Sequence, residues 1–247
     1  MGFAAVDIGN TSIKVCIQAV GSEVVSTFND VEDVARYIRQ NAAGPVAFCT
    51  TRILSPSELN VISDSGWWEL NHESRLPIEI LYGTPETLGT DRLAGAIASC
   101  HRFKGRTVLV ADVGTALTLD VVSSPGRFLG GNISPGIHMR MKALHHYTSR
   151  LPEVEALEES EAWLGEDTAT AIQRGARWGV TFEIAGAYRL AERQYGCNAI
   201  VLTGGGAPLV CDELKEALQN EAEIIYVPNL VEEGLKIAYE FNHDRQI

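Results

Sequence analysis

The sequence has no apolar run long enough to cross a bilayer, and the strand-like opening segment Phe3 to Ile8 is preceded by no basic stretch of the kind that heads an export signal. Cysteine is scarce. The five present (Cys16, Cys49, Cys100, Cys197, Cys211) are odd in number and lack any C-x-x-C spacing, which suits neither a disulfide framework nor a zinc site. A reducing, cytoplasmic home with no membrane partner is expected. Basic charge is also short: 20 Lys and Arg stand against 32 Asp and Glu, a formal net charge of -12. Nucleic acid phosphates and anionic lipids carry the same sign, so neither is an expected partner. Proline numbers only 9 in 247 residues, and 45% of residues are hydrophobic. The chain can therefore fill a core of one large or two small domains without disulfides. Two common nucleotide signatures are missing as well, since there is neither a G-x-x-x-x-G-K-S/T loop nor a G-x-G-x-x-G turn from strand to helix.

What is present is an alternating α/β order that starts twice. Residues 3 to 8, 13 to 20 and 23 to 28 read as three strands, the last two joined by Gly21-Ser22. A helix over about 31 to 41 follows an Asp30 cap and places Val31, Val34, Ala35 and Ile38 on one face. Strand 45 to 49 comes next, then a helix opened by Ser55-Pro56-Ser57-Glu58, which has the form of a capping box. Strands near Trp67 to Leu70 and Ile78 to Tyr82 precede a helix from about Asp91. Alternation should send one of Trp67 and Trp68 into the core and leave the other for a partner subunit. The second half repeats the opening with strands at Val108 to Asp112, Ala116 to Val122 and Arg127 to Asn132. Helices then dominate from Gly136 to Tyr195, and strand 198 to 203, a helix from Ala207, strand 223 to 227 and a helix from Leu230 complete the chain. The expected division is 1–106 and 107–247. The acid-rich stretch Glu153 to Asp167 reads as a solvated face, and His138, His145 and His146 lack the spacing of a helical metal pair.

Each half begins with a turn suited to phosphate. Asp7-Ile8-Gly9-Asn10-Thr11 joins an apolar strand to an alternating one, so backbone N–H groups, the Thr11 and Ser12 hydroxyls and the Lys14 ammonium can all meet phosphate oxygens. A carboxylate at Asp7 would repel phosphate unless it held Mg²⁺ through the water shell of that ion. Asp112-Val113-Gly114-Thr115 repeats the pattern after Val108-Leu109-Val110. Either turn alone fits an ordinary hairpin in which Asp and Gly serve backbone geometry; two, each opening a three-strand run, point to ATP. A third cluster, Thr203-Gly204-Gly205-Gly206, follows a strand and lets a flat ligand such as adenosine approach the backbone.

Taken together, these pieces resemble a type III pantothenate kinase of the acetate and sugar kinase, Hsp70 and actin superfamily. The resemblance runs through Asp7 to Lys14, Tyr82-x-x-Pro85-x-x-Leu88-Gly89-x-Asp91-Arg92, Asp112-x-Gly114-Thr115-Ala116-x-Thr118-x-Asp120, Gly130-Gly131-x-Ile133-x-Pro135-Gly136, Gly165-x-x-Thr168 and Thr203-Gly204-Gly205. It implies an α/β fold of two similar actin-like ATPase (ribonuclease H-like) domains, each with three leading strands in a mixed sheet flanked by helices. It implies ATP-dependent phosphorylation of pantothenate to 4'-phosphopantothenate, the first step of coenzyme A biosynthesis, by a homodimer with a shared substrate site. By matching position, Asp91 would accept the proton, and Tyr82, Gly89, Thr90, Asp91, Arg92 and Thr168 would contact pantothenate. Asp7, Ile8, Gly9, Asn10, Thr11, Ser12, Ile13, Lys14, Thr115, Gly204 and Gly205 would bind ATP. Asp112 would hold a monovalent cation, K⁺ or NH₄⁺, and Asp7 would hold Mg²⁺ through water.

Elementary chemistry is consistent with these roles. An attacking hydroxyl must lose its proton as the phosphoryl group arrives, and a carboxylate within reach can take it. Arg92 suits the pantothenate carboxylate by fork geometry. The sequence departs from the usual family pattern at Thr84, where Asn is common, at Thr90, where Ala is common, and over Cys49 to Leu54. Two other readings stay open: a phosphatase or polyphosphate hydrolase on the same fold, and a non-catalytic ATP-binding accessory protein.

Overall fold

The computed structural model describes residues 2–19, 21–42, 44–154 and 162–243. β1 (Phe3–Ile8), β2 (Ile13–Ala19) and β3 (Ser22–Phe28) form an antiparallel meander. β4 (Val46–Thr50) then runs parallel to β1, and the short β5 (Trp68–Glu69) runs parallel to β4, giving the order β3-β2-β1-β4-β5. The second sheet repeats this plan. β7 (Val108–Val113), β8 (Ala116–Ser123) and β9 (Arg127–Pro135) lead, and β10 (Ala199–Thr203) and β11 (Glu223–Tyr226) follow, so that the order reads β9-β8-β7-β10-β11. β6 (Glu79–Ile80) pairs parallel with Arg127 and Phe128 at the start of β9. This is the mixed α/β architecture expected of the actin-like type.

Two compact units result. One contains residues up to Lys104, Pro125–Phe128 and the chain from Asn229 on; the other contains Gly105–Ser124 and Leu129–Pro228. In the first, β1 and β2 turn Ala4, Val6, Ile8, Ile13, Val15 and Ile17 toward the apolar stripe of α1 (Val31–Asn41), where Val31, Val34, Ala35 and Ile38 are buried. Asp30 caps α1 through the N–H groups of Glu32 and Asp33. α2 (Pro56–Asp64) carries the capping box expected of Ser55 and Glu58. The opposite face of the sheet meets α3 (Thr90–Arg102) and α7 (Leu230–His243). Small residues permit the close crossing of these two helices: a side chain at Gly234 would run into the backbone of Ala94.

Trp67 and Trp68 do part to opposite faces. Trp67 is buried beside Phe48, whereas Trp68 meets Tyr239 and His243 of α7. The partner anticipated for Trp68 is thus a helix of its own chain. β5 and β6 are shorter than their sequence segments suggest; β6 is bounded by Pro77 and the Gly83-Thr84-Pro85 turn, which limit ladder pairing there.

The second unit encloses its own core, in which Leu109, Ala111, Leu117 and Leu119 pack against Ile172, Ala176, Val180 and Ile184 of α5 (Thr168–Tyr195). α4 (Ile137–Tyr147) and α6 (Ala207–Ala217) flank that helix. Of the acid-rich stretch, residues 155–161 lie outside the described residues, while Glu153, Glu166 and Asp167 are exposed as expected. His145 Nδ1 is hydrogen-bonded to the Leu151 carbonyl at 2.9 Å.

Candidate active site

Strand pleating decides which residues of the first turn share a face. With Ala4, Val6 and Ile8 facing α1, the alternate positions Phe3, Ala5 and Asp7 face the α3 and α7 side. Asp7 is opposite Lys14 on β2 and Cys49 on β4, so these three side chains share that side of the sheet. The Cys49 thiol lies 3.6 Å from Asp7 Oδ1. The turn itself closes by a 3.1 Å bond from the Gly9 N–H to the Ser12 carbonyl, and a Cβ on Gly9 would sit 3.1 Å from that same oxygen. Asn10 Nδ2 reaches Thr51 Oγ1 at 3.5 Å.

The start of α3 is tied to the same end of the sheet. Thr90 Oγ1 donates to the Thr50 carbonyl at 3.1 Å, and Thr50 Oγ1 donates to the Ile8 carbonyl at 3.3 Å. Asp91 is therefore held in the first helical turn, its Oδ1 accepting from the Arg92 N–H at 2.7 Å. Gly89 is required there for space: a Cβ would lie 2.5 Å from Asp91 Oδ1. Burial raises the Asp91 carboxyl above the ordinary aspartate range, against the lowering effect of its bond to the Arg92 N–H and of the Arg92 charge. Arg92 is only 7% exposed, with its guanidinium 5.6 Å from the ring centres of both Tyr82 and Phe128. Burial pushes the Cys49 thiol well up, aided by the charges of Asp7, Asp91 and Glu232.

Glu232 was not visible as a site residue in the sequence. It lies in the first turn of α7, 1% exposed, and both its oxygens are 3.3 Å from Lys14 Nζ. Its acidic, helix-opening position is what the helix dipole favours anywhere, and 218 residues separate it from Lys14. No local pattern carries such a pairing. Phe128 was missed for a similar reason, being one alternating apolar residue at the head of β9.

The second unit builds its turn from glycines. Gly114 N–H donates to the Ala116 carbonyl, and Gly136 N–H donates to the Thr115 carbonyl at 3.1 Å. Gly204, at φ +87°, lies so close to Asp112 Oδ1 and the Val113 backbone that no side chain fits, while Gly206 N–H donates to the Val113 carbonyl at 2.8 Å. Asp112, Thr115, Gly204 and Gly205 consequently gather at the ends of β7 and β10, which pair Asp112 with Thr203. Thr168 is the exposed first residue of α5, after the Asp167 cap. Among the described residues no group of three or more His, Cys, Asp or Glu could enclose a metal. No described helix is long and apolar enough to cross a membrane.

Comparison with known proteins gives this geometry a family. The sequence pattern of the type III pantothenate kinases matches residues 59–190. A type III pantothenate kinase of Cytophaga hutchinsonii is 35% identical over 221 residues, 89% of this chain and 93% of that protein. One from Flavobacterium johnsoniae is 31% identical over 246 residues, covering 97% and 98%, and one from Bacteroides fragilis is 39% identical over 208 residues, covering 81% and 84%. Among solved structures, a Baf family protein from Campylobacter jejuni is similar with a TM-score of 0.63 at 20% identity, covering 98% and 100%. Component A of the (R)-2-hydroxyglutaryl-CoA dehydratase of Acidaminococcus fermentans gives a TM-score of 0.54 at 12% identity, covering 98% and 97%. These structures speak for the fold alone. The extent of the sequence matches goes further: the chain belongs to the type III pantothenate kinase family.

Proposed function

We propose that the protein transfers the γ-phosphoryl group of ATP to the primary hydroxyl of pantothenate, yielding ADP and 4'-phosphopantothenate for coenzyme A synthesis. The observation that carries this reading is the placement of Asp91. A buried carboxylate of weakened acidity opens α3 on the same side of the sheet as Asp7 and Lys14, and its charge, like that of Asp7, raises the Cys49 thiol. As the new P–O bond forms and the bond to ADP breaks, the hydroxyl proton passes to Asp91, whose raised pKa suits it to that task. Arg92, desolvated against two rings, is suited to the pantothenate carboxylate, and Tyr82, Gly89, Thr90 and Thr168 complete the expected contacts.

The turn from Asp7 through Ile8, Gly9, Asn10, Thr11, Ser12 and Ile13 to Lys14 supplies N–H, hydroxyl and ammonium donors for ATP phosphates. Thr115, Gly204 and Gly205 supply nucleotide contacts in the second unit. The donor sets fit the expected ions. Mg²⁺ keeps most of its waters and needs few protein carboxylates, which matches Asp7. Asp112, packed under Gly204 beside the Val113 carbonyl, offers the oxygen ligands that K⁺ or NH₄⁺ takes. These ions would offset phosphate charge in a protein that already carries -12. Exposed Ile133, Met139, Leu144, Tyr147 and Phe182, all in the second unit, support a homodimer, and the composition supports a cytoplasmic home.

The test measures ADP release and phosphorylated product with and without pantothenate and K⁺. Product that requires both is expected. Phosphate release from ATP without an alcohol would favour a hydrolase instead, and ATP binding without turnover on any alcohol would favour an accessory protein.

A further inference from the structure

We infer that Glu232 is a positioning residue for ATP, acting through Lys14 rather than by touching the nucleotide. The inference rests on the kinase reading above and extends it to a residue on the last helix.

Lys14 ends a flexible four-carbon stem, and its side chain is 30% exposed at the head of β2, just past the phosphate turn. A lysine left to wander must be ordered each time phosphate arrives, and immobilising such a side chain opposes binding. Glu232 meets it from below with both oxygens at 3.3 Å, using the face of the ammonium turned toward α7. An ammonium has three donors in a tripod, so one carboxylate can fix the head without using all of them. Glu232 itself is set firmly. It is 1% exposed on a helix packed closely over α3, and its place in the first turn of α7 gives the carboxylate the favourable end of the helix dipole.

The groups around it fit this role. From β2 come Lys14 and Cys16, from β3 Glu23, and from β4 Cys49. Glu23 is engaged elsewhere, accepting from the Cys16 thiol at 2.8 Å and from Asn229 Nδ2 at 2.9 Å. Burial raises the Glu232 carboxyl above the ordinary glutamate range, and the Lys14 charge acts against that rise. Two effects of the carboxylate on ATP oppose one another: it holds the lysine in place, and it competes for the positive charge. Both effects act at one ammonium, and the sign of the change in ATP affinity on Glu232→Gln separates them: weakening means that positioning dominates.

The test compares the full chain with Glu232→Gln, Lys14→Met and the double variant, by calorimetric titration with ATP and with AMP and by steady-state kinetics. Glu232→Gln is expected to weaken ATP binding about 5- to 10-fold, to raise KM for ATP similarly, and to leave AMP binding and KM for pantothenate within about twofold. In the Lys14→Met background the same change should have no further effect on ATP, since coupled residues fail to add. Unchanged or tighter ATP binding in Glu232→Gln overturns the inference. So does equal weakening for ATP and AMP, or an undiminished effect without Lys14. Should Glu232→Gln melt early, the pair Lys14→Met and Lys14→Met/Glu232→Leu decides: further loss of ATP affinity in the latter overturns the inference, and none supports it. Wild-type protein that does not bind ATP at all would sink the kinase reading itself, a separate result.

Discussion

Asp91 is costly to ionise where it lies, and the role proposed for it draws on that cost. Burial raises Asp91, so the folded protein holds this proton more tightly than the unfolded chain does. Its contribution to stability is full below the unfolded value of ~3.9 and is lost as pH rises through the higher folded value. Asp91→Asn should therefore melt no lower than wild type at pH 7 and lose this pH dependence. It should also cut kcat by about 10²- to 10⁴-fold while ATP affinity stays within twofold. Thermal denaturation from pH 4 to 8 beside steady-state kinetics checks all three, and near-normal kcat would remove Asp91 as the proton acceptor. Gly204→Ala makes the opposite kind of prediction. At φ +87° with Asp112 Oδ1 in the way, the added methyl should destabilise by roughly 1–3 kcal/mol and weaken K⁺ dependence in the same assay. The motif residues could be read from sequence because each belongs to a short run of its own: Gly89 makes room for Asp91 two residues on, and Gly204, which makes room for Asp112, stands in Thr203-Gly204-Gly205-Gly206. Glu232 could not, because its partner is 218 residues away.

Helices with side-chain caps were the most legible elements. Asp30, and Ser55 with Glu58, announce α1 and α2 by residues that satisfy free N–H groups within one turn. Ser55→Ala should accordingly lower stability by about 1 kcal/mol in a urea titration. Glu58 is held down at about 2, first by its bonds to Arg52 and then by the Ser55 N–H. Its stabilising effect is present above the ordinary glutamate range and is lost as pH falls through about 2. The leading strands were legible from period-2 alternation. What sequence could not supply was the lateral fit of α3 on α7, which depends on glycine at 234 lying against the Ala94 backbone. Each helix alone shows only an apolar face. Gly234→Ala should cost about 1–3 kcal/mol by urea titration and, by displacing α7, weaken ATP binding too. Full stability in that variant would mean the crossing is looser than described.

At the scale of the whole molecule, the apolar residues left in the open call for cover. Tyr147 is 82% exposed and Phe182 53% exposed, with Ile133, Met139 and Leu144 in the same unit. Phe182→Asp and Tyr147→Asp should halve the mass seen by light scattering at micromolar concentration and depress activity, if the dimer shares its substrate site. An unchanged mass would send the search for the subunit contact elsewhere. The return of the chain at Asn229 to the unit it began has another outcome, which concerns timing. A ribosome adding roughly 5–20 residues per second spends on the order of ten seconds on the second unit before α7 emerges. During that interval β1 and β4 lack α7, one of the two helices on that face, and Lys14 lacks Glu232. A chain released early would hold every residue of the first phosphate turn and still be unable to finish its shape. The first unit thus waits on α7 to close its sheet, and the Lys14–Glu232 ion pair forms only once that helix has been made.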